Sequence, residues 1–263
     1  MKKGHGERDG RRTATHADLA PTVWEGGPAP RVLVVLGTRP EAIKLAPVIL
    51  ELRRRGLPHR VLSTGQHREL ALDALALFGI RPDLDLAIMR PGQTPAQVAA
   101  AVLAGLEPVL ADWPPDWMLV QGDTTTVLAA AIAAHYARVR VAHVEAGLRS
   151  HDRGHPFPEE FNRVLVSHAA DLHLAPTAAA RDALLAEGIG DGCIHVTGNP
   201  VVDALQLIRE RRPSAEAASL LASLPPERRP ILVTTHRRES FGAPLEGICQ
   251  ALKRLAARPD VQI

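Results

Sequence analysis

The sequence predicts an α/β fold organised around an open parallel sheet with helices on both faces. From Arg31 onward, short apolar runs alternate with helical segments across short links, which is the pattern of a covered parallel sheet. Several apolar runs, such as Trp117-Met118-Leu119-Val120, end abruptly in glycine and polar residues, as buried parallel strands do. Because ligands of open α/β sheets bind beyond the carboxyl ends of the strands, the residues that follow these runs are the candidate site.

The composition is that of an ordinary globular protein, with 263 residues, 46% hydrophobic and 23% charged. The net charge of +2 is small and no basic run carries interleaved aromatics, so we expect no nucleic acid partner. The cysteines, Cys193 and Cys249, lack metal-like spacing, which argues against a disulfide scaffold and a Cys-based zinc site and is compatible with the cytoplasm. No run approaches the roughly 18 to 20 apolar residues of a membrane span, so we expect no membrane partner.

Four segments are predicted along the chain. Residues 1–30 form a disordered extension without the apolar stretch of a secretory signal, and residues 31–210 form the N-terminal domain. Residues 211–229, rich in Pro, Ser, Ala and Arg, form a helical or irregular linker. The alternation restarts at residue 230, but 230–263 is shorter than the roughly 50 residues of a small domain. We therefore expect an incomplete second domain, or an annex packed on the first.

Helix starts in the first half are marked by proline and capping residues. Pro40 suits the first helical position, where its missing N–H is harmless, and Thr94-Pro95-Ala96-Gln97 reads as a capping box with proline at the first position. The predicted strands are 31–36, 59–63 and a weak 84–88. The first predicted helix runs from about 41 to 56, the second follows the strand at 59–63 and ends near 78, and the third runs from 94 to about 110.

The second half continues the alternation. An alanine-rich helix separates the two central strands, and a later helix opens at Glu159 after the loop Pro156-Phe157-Pro158. The predicted strands are 117–120, 140–144, 171–174, 194–196, 230–234 and 261–263, and the predicted helices are 127–137, one from 159, 178–187, 200 to about 210, and one that ends near 257.

Three carboxylates lie at strand ends or at a helix start. Asp123 and Glu145 follow the two central strands, and Glu159 opens a helix. We expect them to face one cleft, where mutual repulsion raises the pKa of at least one of them or cations lie among them. Arg149 and Arg163 are the expected cations, since each follows a carboxylate, Glu145 or Glu159, by four residues.

Taken singly, two of these carboxylates have a purely structural interpretation. Asp123 could be a helix N-cap, and Glu159 and Glu160 would be favoured at a helix start by the dipole alone. Glu145 ends a strand that should be buried and has no capping role. The coincidence of all three favours an acid/base site.

Positive residues flank the same region. The loop after the first strand contains Arg39 and Lys44 at a helix start, where N–H groups bind anions. Lys44 stands out in a chain that otherwise uses arginine, which indicates a compact point charge; the alternative is a solvated helix residue. His236 is followed by Arg237 and Arg238, an edge that suits a phosphate, although a solvated turn fits equally well. No Gly-x-Gly-x-x-Gly pattern indicates a dinucleotide, and no metal is expected.

These residues fall in segments that follow one another in a fixed order, namely Gly37-Thr-Arg-Pro-Glu-Ala-Ile-Lys-Leu-Ala-Pro47, Thr64-Gly-Gln-His-Arg-Glu69, Gly122-Asp-Thr-Thr-Thr126, His143-Val-Glu-Ala-Gly-Leu-Arg149, Pro156-Phe-Pro-Glu-Glu-Phe-Asn-Arg163, Thr197-Gly-Asn-Pro-Val201 and His236-Arg-Arg-Glu-Ser-Phe-Gly242. Together, these segments resemble the non-hydrolysing UDP-N-acetylglucosamine 2-epimerase family. The resemblance implies a GT-B-type architecture, with two Rossmann-like domains facing a cleft and the second domain truncated here. It also implies a cytoplasmic enzyme without a cofactor that is a homodimer in its full-length form.

The resemblance implies interconversion of UDP-N-acetylglucosamine and UDP-N-acetylmannosamine. UDP is eliminated to leave a 2-acetamidoglucal, which is protonated on the other face as UDP adds back. By motif position, the implied roles are binding and leaving-group stabilisation for Arg39, Lys44, Arg163 and His236, acid/base work for Asp123, Glu145 and Glu159, and binding of an activating second UDP-N-acetylglucosamine for Gln66 and Gln93.

Two departures from the family pattern qualify the expected activity. The family's Ser-Gly-Gly-type loop and the Glu that hold the uridine and phosphates have no counterpart up to Ile263, so we expect weak UDP binding and slow or absent turnover. Gly154-His155 also stands where members often have Tyr-Ser. The alternatives are a hydrolysing epimerase, a GT-B glycosyltransferase, or a non-catalytic UDP-sugar-binding fragment.

Overall fold

The structure, a computed structural model, describes residues 28–66, 68–211, 213–235 and 242–263. The chain divides between Glu210 and Arg211 into two compact units. Most of the predicted extension, residues 1–27, lies outside the described residues, and so does His236. The assignments of 211–229 as a linker and of 230–263 as the start of a second domain stay predictions.

One parallel sheet forms the centre of the first unit. Its strands are β1 Val32–Leu36, β2 His59–Ser63, β3 Leu84–Asp85, β4 Trp117–Gln121, β5 Arg140–Val144, β6 Leu172–Ala175 and β7 Ile194–Val196. Across the described residues the strand order is β3-β2-β1-β4-β5-β6-β7, so the order reverses between β1 and β4. The predicted α/β fold with a Rossmann-like parallel sheet is confirmed, and the reversal places the ligand crevice of such a sheet at the carboxyl ends of β1 and β4.

Helices cover both faces of this sheet. Two apolar clusters form on opposite faces because every residue of β1 is buried, with alternate side chains pointing to each side. The helices are α1 Arg39–Arg54, α2 Arg68–Leu77, α3 Pro95–Asp112, α4 Thr125–Tyr136, α5 Glu159–Ala169, α6 Ala178–Ala186 and α7 Pro200–Arg209. One cluster joins the sheet to α3 and α4, and the other joins it to α1, α2 and α7.

The helix starts correct two details of the sequence prediction. Helix α1 begins at Arg39 with Thr38 as N-cap, so Pro40 occupies the second helical position rather than the first; its missing N–H is equally harmless there. The N-cap of α4 is Thr124, whose hydroxyl accepts from the Val127 N–H, so Asp123 is not the cap. The predicted capping box at Thr94 is confirmed.

The second unit contains two helices and a two-stranded parallel sheet among its described residues. Helices α8 Ala215–Ser223 and α9 Ala243–Ala256 accompany the strands β8 Arg229–Pro230 and β9 Val261–Gln262. The predicted strand 230–234 is therefore wrong in extent. The last hydrogen bond of its ladder runs from the Ile231 N–H to the Gln262 carbonyl at 2.7 Å.

Candidate active site

The loops after β1, β2 and β4 converge at the carboxyl edge of the sheet. Gly37 makes this convergence possible, because a Cβ at that position would lie 2.5 Å from Thr64 Oγ1 and 2.7 Å from Thr126 Oγ1. Thr126 Oγ1 also donates to Gln66 Oε1 at 2.8 Å. The crevice predicted from the strand order is therefore lined by short polar side chains.

Lys44 and Glu145 form an ion pair that spans this edge from α1 to the end of β5. The distance from Lys44 Nζ to Glu145 Oε2 is 2.5 Å, and Gln121 Nε2 donates to the same oxygen at 2.9 Å. Glu145 has a φ of 64°, in the left-handed region that a residue with a long side chain rarely adopts. Backbone strain of this kind is characteristic of functional sites.

The expected pairing of Glu145 with Arg149 is wrong. Arg149 instead makes a two-pronged contact with Glu187, at 2.7 Å to each carboxylate oxygen, and donates to Ser167 Oγ at 2.9 Å. Its side chain is only 2% exposed. The residues from Glu145 to Arg149 are not helical, so the four-residue spacing does not place the two side chains together.

Asp123 is held by two neighbouring residues of α5. Its carboxylate pairs with Arg163, and its carbonyl accepts from Asn162 Nδ2 at 2.9 Å. Burial raises the pKa of Asp123, and the charges of Glu159 and Glu145 act in the same direction, while Arg163 opposes them. The pKa of Asp123 is therefore raised as expected, but mainly by burial rather than by repulsion among the three carboxylates.

The four-residue spacing suggested that Arg163 pairs with Glu159, but besides Asp123 its partner is the next glutamate, Glu160. Arg163 Nη1 lies 3.4 Å from Glu160 Oε2, and Glu160 accepts from the N–H groups of Ser150 and His151 at 3.0 Å. Burial acts to raise the pKa of Glu160, but these N–H groups and Arg163 outweigh it and the pKa is lowered. Glu160 therefore fixes the loop before α5.

The side chains of Glu159 and Arg39 make no hydrogen bond or ion pair to another described residue, and both retain access to solvent. Gln93 differs from them, because its side chain closes its own loop by donating to the Ile88 carbonyl at 3.1 Å and accepting from the Arg90 N–H at 2.6 Å. Among the predicted site residues, Glu159 and Arg39 are consequently free to meet a ligand.

Sequence reasoning missed Glu41, which lies fully inside the site. It accepts from the Gly37 N–H at 2.5 Å, the Thr38 N–H at 2.9 Å and Thr124 Oγ1 at 2.5 Å. Burial raises its pKa, against the hydrogen bonds from Thr124 and the two N–H groups. The expectation that N–H groups here bind an anion is wrong for Gly37 and Thr38, since Glu41 occupies both. The Thr38-x-x-Glu41 spacing of a capping box was the available signal.

His143 is a second residue that the sequence did not indicate. Its buried ring places Nε2 2.7 Å from the carbonyl of Gly122, the residue before Asp123. Burial lowers the pKa of His143 to about 4, so the ring is neutral at physiological pH and its Nε2–H donates to that carbonyl. The structural consequence is a fixed backbone immediately before Asp123.

The described ranges contain neither a metal-ion cluster nor a membrane-spanning helix. Within them, no cluster of three or more His, Cys, Asp or Glu side chains is arranged to hold a metal ion. No helix there has the length and apolar character needed to cross a membrane.

Comparison with known proteins places this arrangement in a family. Residues 50–263 match the family described as UDP-N-acetylglucosamine 2-epimerase. The chain belongs to the UDP-N-acetylglucosamine 2-epimerase family. The family resemblance inferred from the motifs is confirmed.

Relatives of this chain include proteins that carry the family's name and proteins of solved structure. A UDP-N-acetylglucosamine 2-epimerase of Salmonella typhimurium is 50% identical over 242 residues, which cover 89% of this chain and 64% of the relative. The crystal structure of the Neisseria meningitidis UDP-GlcNAc 2-epimerase bound to UDP-GlcNAc is 41% identical, with a TM-score of 0.81, over 88% of this chain and 64% of that one. The Methanocaldococcus jannaschii enzyme in complex with UDP-GlcNAc and UDP is 36% identical, with a TM-score of 0.72, over 86% and 62%. This family member thus spans 64% of the length of the Salmonella relative.

Proposed function

We propose that this chain carries the acid/base half of an active site that interconverts UDP-N-acetylglucosamine and UDP-N-acetylmannosamine. The observation that supports this most is the placement of Asp123, Glu145 and Glu159 at one edge of the sheet, beside Lys44 and Arg163. Relatives of the chain include enzymes named for this substrate. Inversion at carbon 2 requires groups that move protons on both faces of the sugar, and this edge supplies carboxylates in different environments.

The carboxylates divide by what holds them. Asp123 lies against Arg163, and burial raises its pKa above the ordinary carboxyl value. Glu145 is fixed by Lys44 and Gln121, whereas Glu159 is unpaired within the described residues and can approach the sugar. We assign acid/base work to all three.

Departure of UDP leads the reaction because the proton at carbon 2 is weakly acidic. Cations stabilise the developing diphosphate charge, and the exposed Arg39 is available for this at the start of α1. Lys44 and Arg163 belong to the same positive set, although each already pairs with a carboxylate. His236 completes the set as a phosphate-binding residue, and binding of an activating second nucleotide sugar by Gln66 and Gln93 belongs to the same proposal.

The assembly and location of the protein are part of this proposal. We expect a cytoplasmic enzyme whose full-length form is a homodimer. Light scattering after size exclusion of the full-length form measures its oligomeric state directly. A monomer at the concentration of the activity assay would contradict the dimer.

The function is tested by incubating the chain with UDP-N-acetylglucosamine and resolving the products by NMR. The expected product is UDP-N-acetylmannosamine, formed slowly. Free N-acetylmannosamine with UDP would indicate a hydrolysing epimerase, and a requirement for an acceptor would indicate a glycosyltransferase. Saturable binding with no product would identify a non-catalytic UDP-sugar-binding fragment.

A further inference from the structure

We propose that Glu41 is a positioning residue that fixes the Asp123 loop against the Arg39 loop through the Thr124 hydroxyl. This inference rests on the proposed function, since it assigns Asp123 to acid/base work. Glu41 Oε2 accepts from the Gly37 and Thr38 N–H groups, and Oε1 accepts from Thr124 Oγ1 at 2.5 Å, across 83 residues of sequence. One side chain therefore joins the loop after β1 to the loop after β4.

Helix capping alone does not account for this residue. Gln97 occupies the corresponding position of α3 and reaches back to the Thr94 N–H at 2.9 Å, but it makes this contact at an exposed surface. Glu41 makes the same kind of local contact at 2% exposure. Burying a carboxylate is unfavourable unless each oxygen is hydrogen-bonded, and the Thr124 hydroxyl supplies the contact that capping does not require.

Thr124 transmits the contact to the reacting group. Its Oγ1 donates to Glu41 and accepts from the Val127 N–H at 3.3 Å, and the preceding residue is Asp123. Helix α5 already holds Asp123 from the other side, through Asn162 and Arg163. With α1 holding Thr124, the Asp123 carboxylate is fixed from two directions, as acid/base groups require for placement to within about 0.5 Å.

Kinetics of Thr124→Val and Thr124→Ser test the link. Valine keeps the shape but removes the hydroxyl, so we expect kcat to fall by about tenfold or more while KM stays within about threefold. Serine keeps the hydroxyl and is expected to stay within about twofold of the wild type. Glu41→Asp, whose shorter side chain cannot reach both loops, is measured alongside and is expected to follow the valine variant.

Thr177→Val is the matched control, because Thr177 caps α6 through the Ala180 N–H at 3.1 Å and has no link to Glu41. It loses an N-cap hydroxyl as Thr124→Val does, and we expect its kcat to be unchanged. An equal loss of kcat in both valine variants would overturn the proposal. So would a rise in KM at constant kcat for Thr124→Val, or full turnover by Glu41→Asp.

Titration of Asp123 by 13C NMR, without substrate, separates this proposal from the proposed function. The Asp123 carboxyl faces Arg163, Glu159 and Glu145, and Glu41 lies behind its loop. Releasing the Asp123 loop exposes the Asp123 carboxyl to solvent. Its pKa is therefore expected to move toward the ordinary value in Thr124→Val and to stay unchanged in the control, Thr177→Val. Absence of turnover by the wild type would count against the proposed function only. Identical Asp123 titrations in Thr124→Val and Thr177→Val would overturn the proposed role of the Glu41–Thr124 contact, even if the wild type shows no turnover.

Discussion

At the residue scale, the site depends on what surrounds each carboxylate. Asp123 has a pKa raised by burial, Glu145 lies against Lys44, and Glu159 is unpaired among the described residues. Chemically identical groups in different environments are how one site performs acid and base steps. The three carboxylates are therefore expected to be separately indispensable.

Asp123→Asn, Glu145→Gln and Glu159→Gln test this expectation. Each variant keeps the shape but removes the proton-moving group, so kcat should fall by roughly a hundredfold or more in the NMR epimerisation assay. Asp182→Asn is the control, because this exposed carboxylate lies on α6 and its only ion pair in the described ranges is a 3.5 Å contact with Arg181. Near-full turnover by any of the first three would remove that residue from the acid/base set.

Residue pairing was the part of the site that sequence could not supply. Spacing along the chain suggested partners four residues apart, but the actual partner of Glu145 is Lys44 and that of Arg149 is Glu187. These contacts depend on which strands are neighbours, which no local pattern encodes. The residue types at the strand ends were predictable because a buried strand leaves its first polar residues at the sheet edge.

At the element scale, several strands and the helix starts at 159, 178 and 200 were predicted to the residue. The strands at 59–63, 140–144 and 194–196 match the structure residue for residue, and each is followed at once by a polar residue that marks its end. Helix α1 starts two residues earlier than expected because the Thr38 cap, with Glu41 behind it, lies before Pro40. The predicted strand 230–234 is observed as the two residues Arg229–Pro230.

Packing between the loop after β5 and helix α6 gives a prediction at this scale. Gly147 has a φ of 87°, and a Cβ there would lie 2.1 Å from the Ala180 carbonyl oxygen, a backbone atom. Gly147→Ala is expected to lower the free energy of unfolding by about 3 kcal/mol or more, measured by urea denaturation.

Gly188→Ala is the matched control for this substitution. Gly188 has a φ of 85° but no atom within 4 Å of the added Cβ, so only the backbone strain of about 1 kcal/mol is expected. Equal losses in the two variants would show that the close approach to α6 contributes nothing to stability.

At the scale of the whole molecule, buried His143 couples folding to pH. Its pKa is about 4 in the folded chain against an ordinary value of 6.5, so protonation favours unfolding. The contribution of neutral His143 to the free energy of unfolding is fully present above about pH 6.5 and is lost as the pH falls through 4. The shift corresponds to about 3 kcal/mol.

Urea unfolding of the wild type and of His143→Gln at several pH values measures this coupling. Glutamine can keep a donor to the Gly122 carbonyl but does not titrate. Between pH 7 and 4, the wild type should lose about 3 kcal/mol more than the variant. Parallel stability curves would contradict the assignment of a low pKa to His143.

The central claim is that carboxylates at the carboxyl edge of this sheet move the proton at carbon 2 of a UDP-sugar. The most direct measurement is incubation of the chain with UDP-N-acetylglucosamine in heavy water, followed by NMR of carbon 2 and of the gluco/manno ratio. We expect deuterium at carbon 2 of the epimerised product, with none incorporated by Asp123→Asn. Epimerisation without deuterium at carbon 2, or equal deuterium incorporation by Asp123→Asn and the wild type, would contradict the role of this carboxylate.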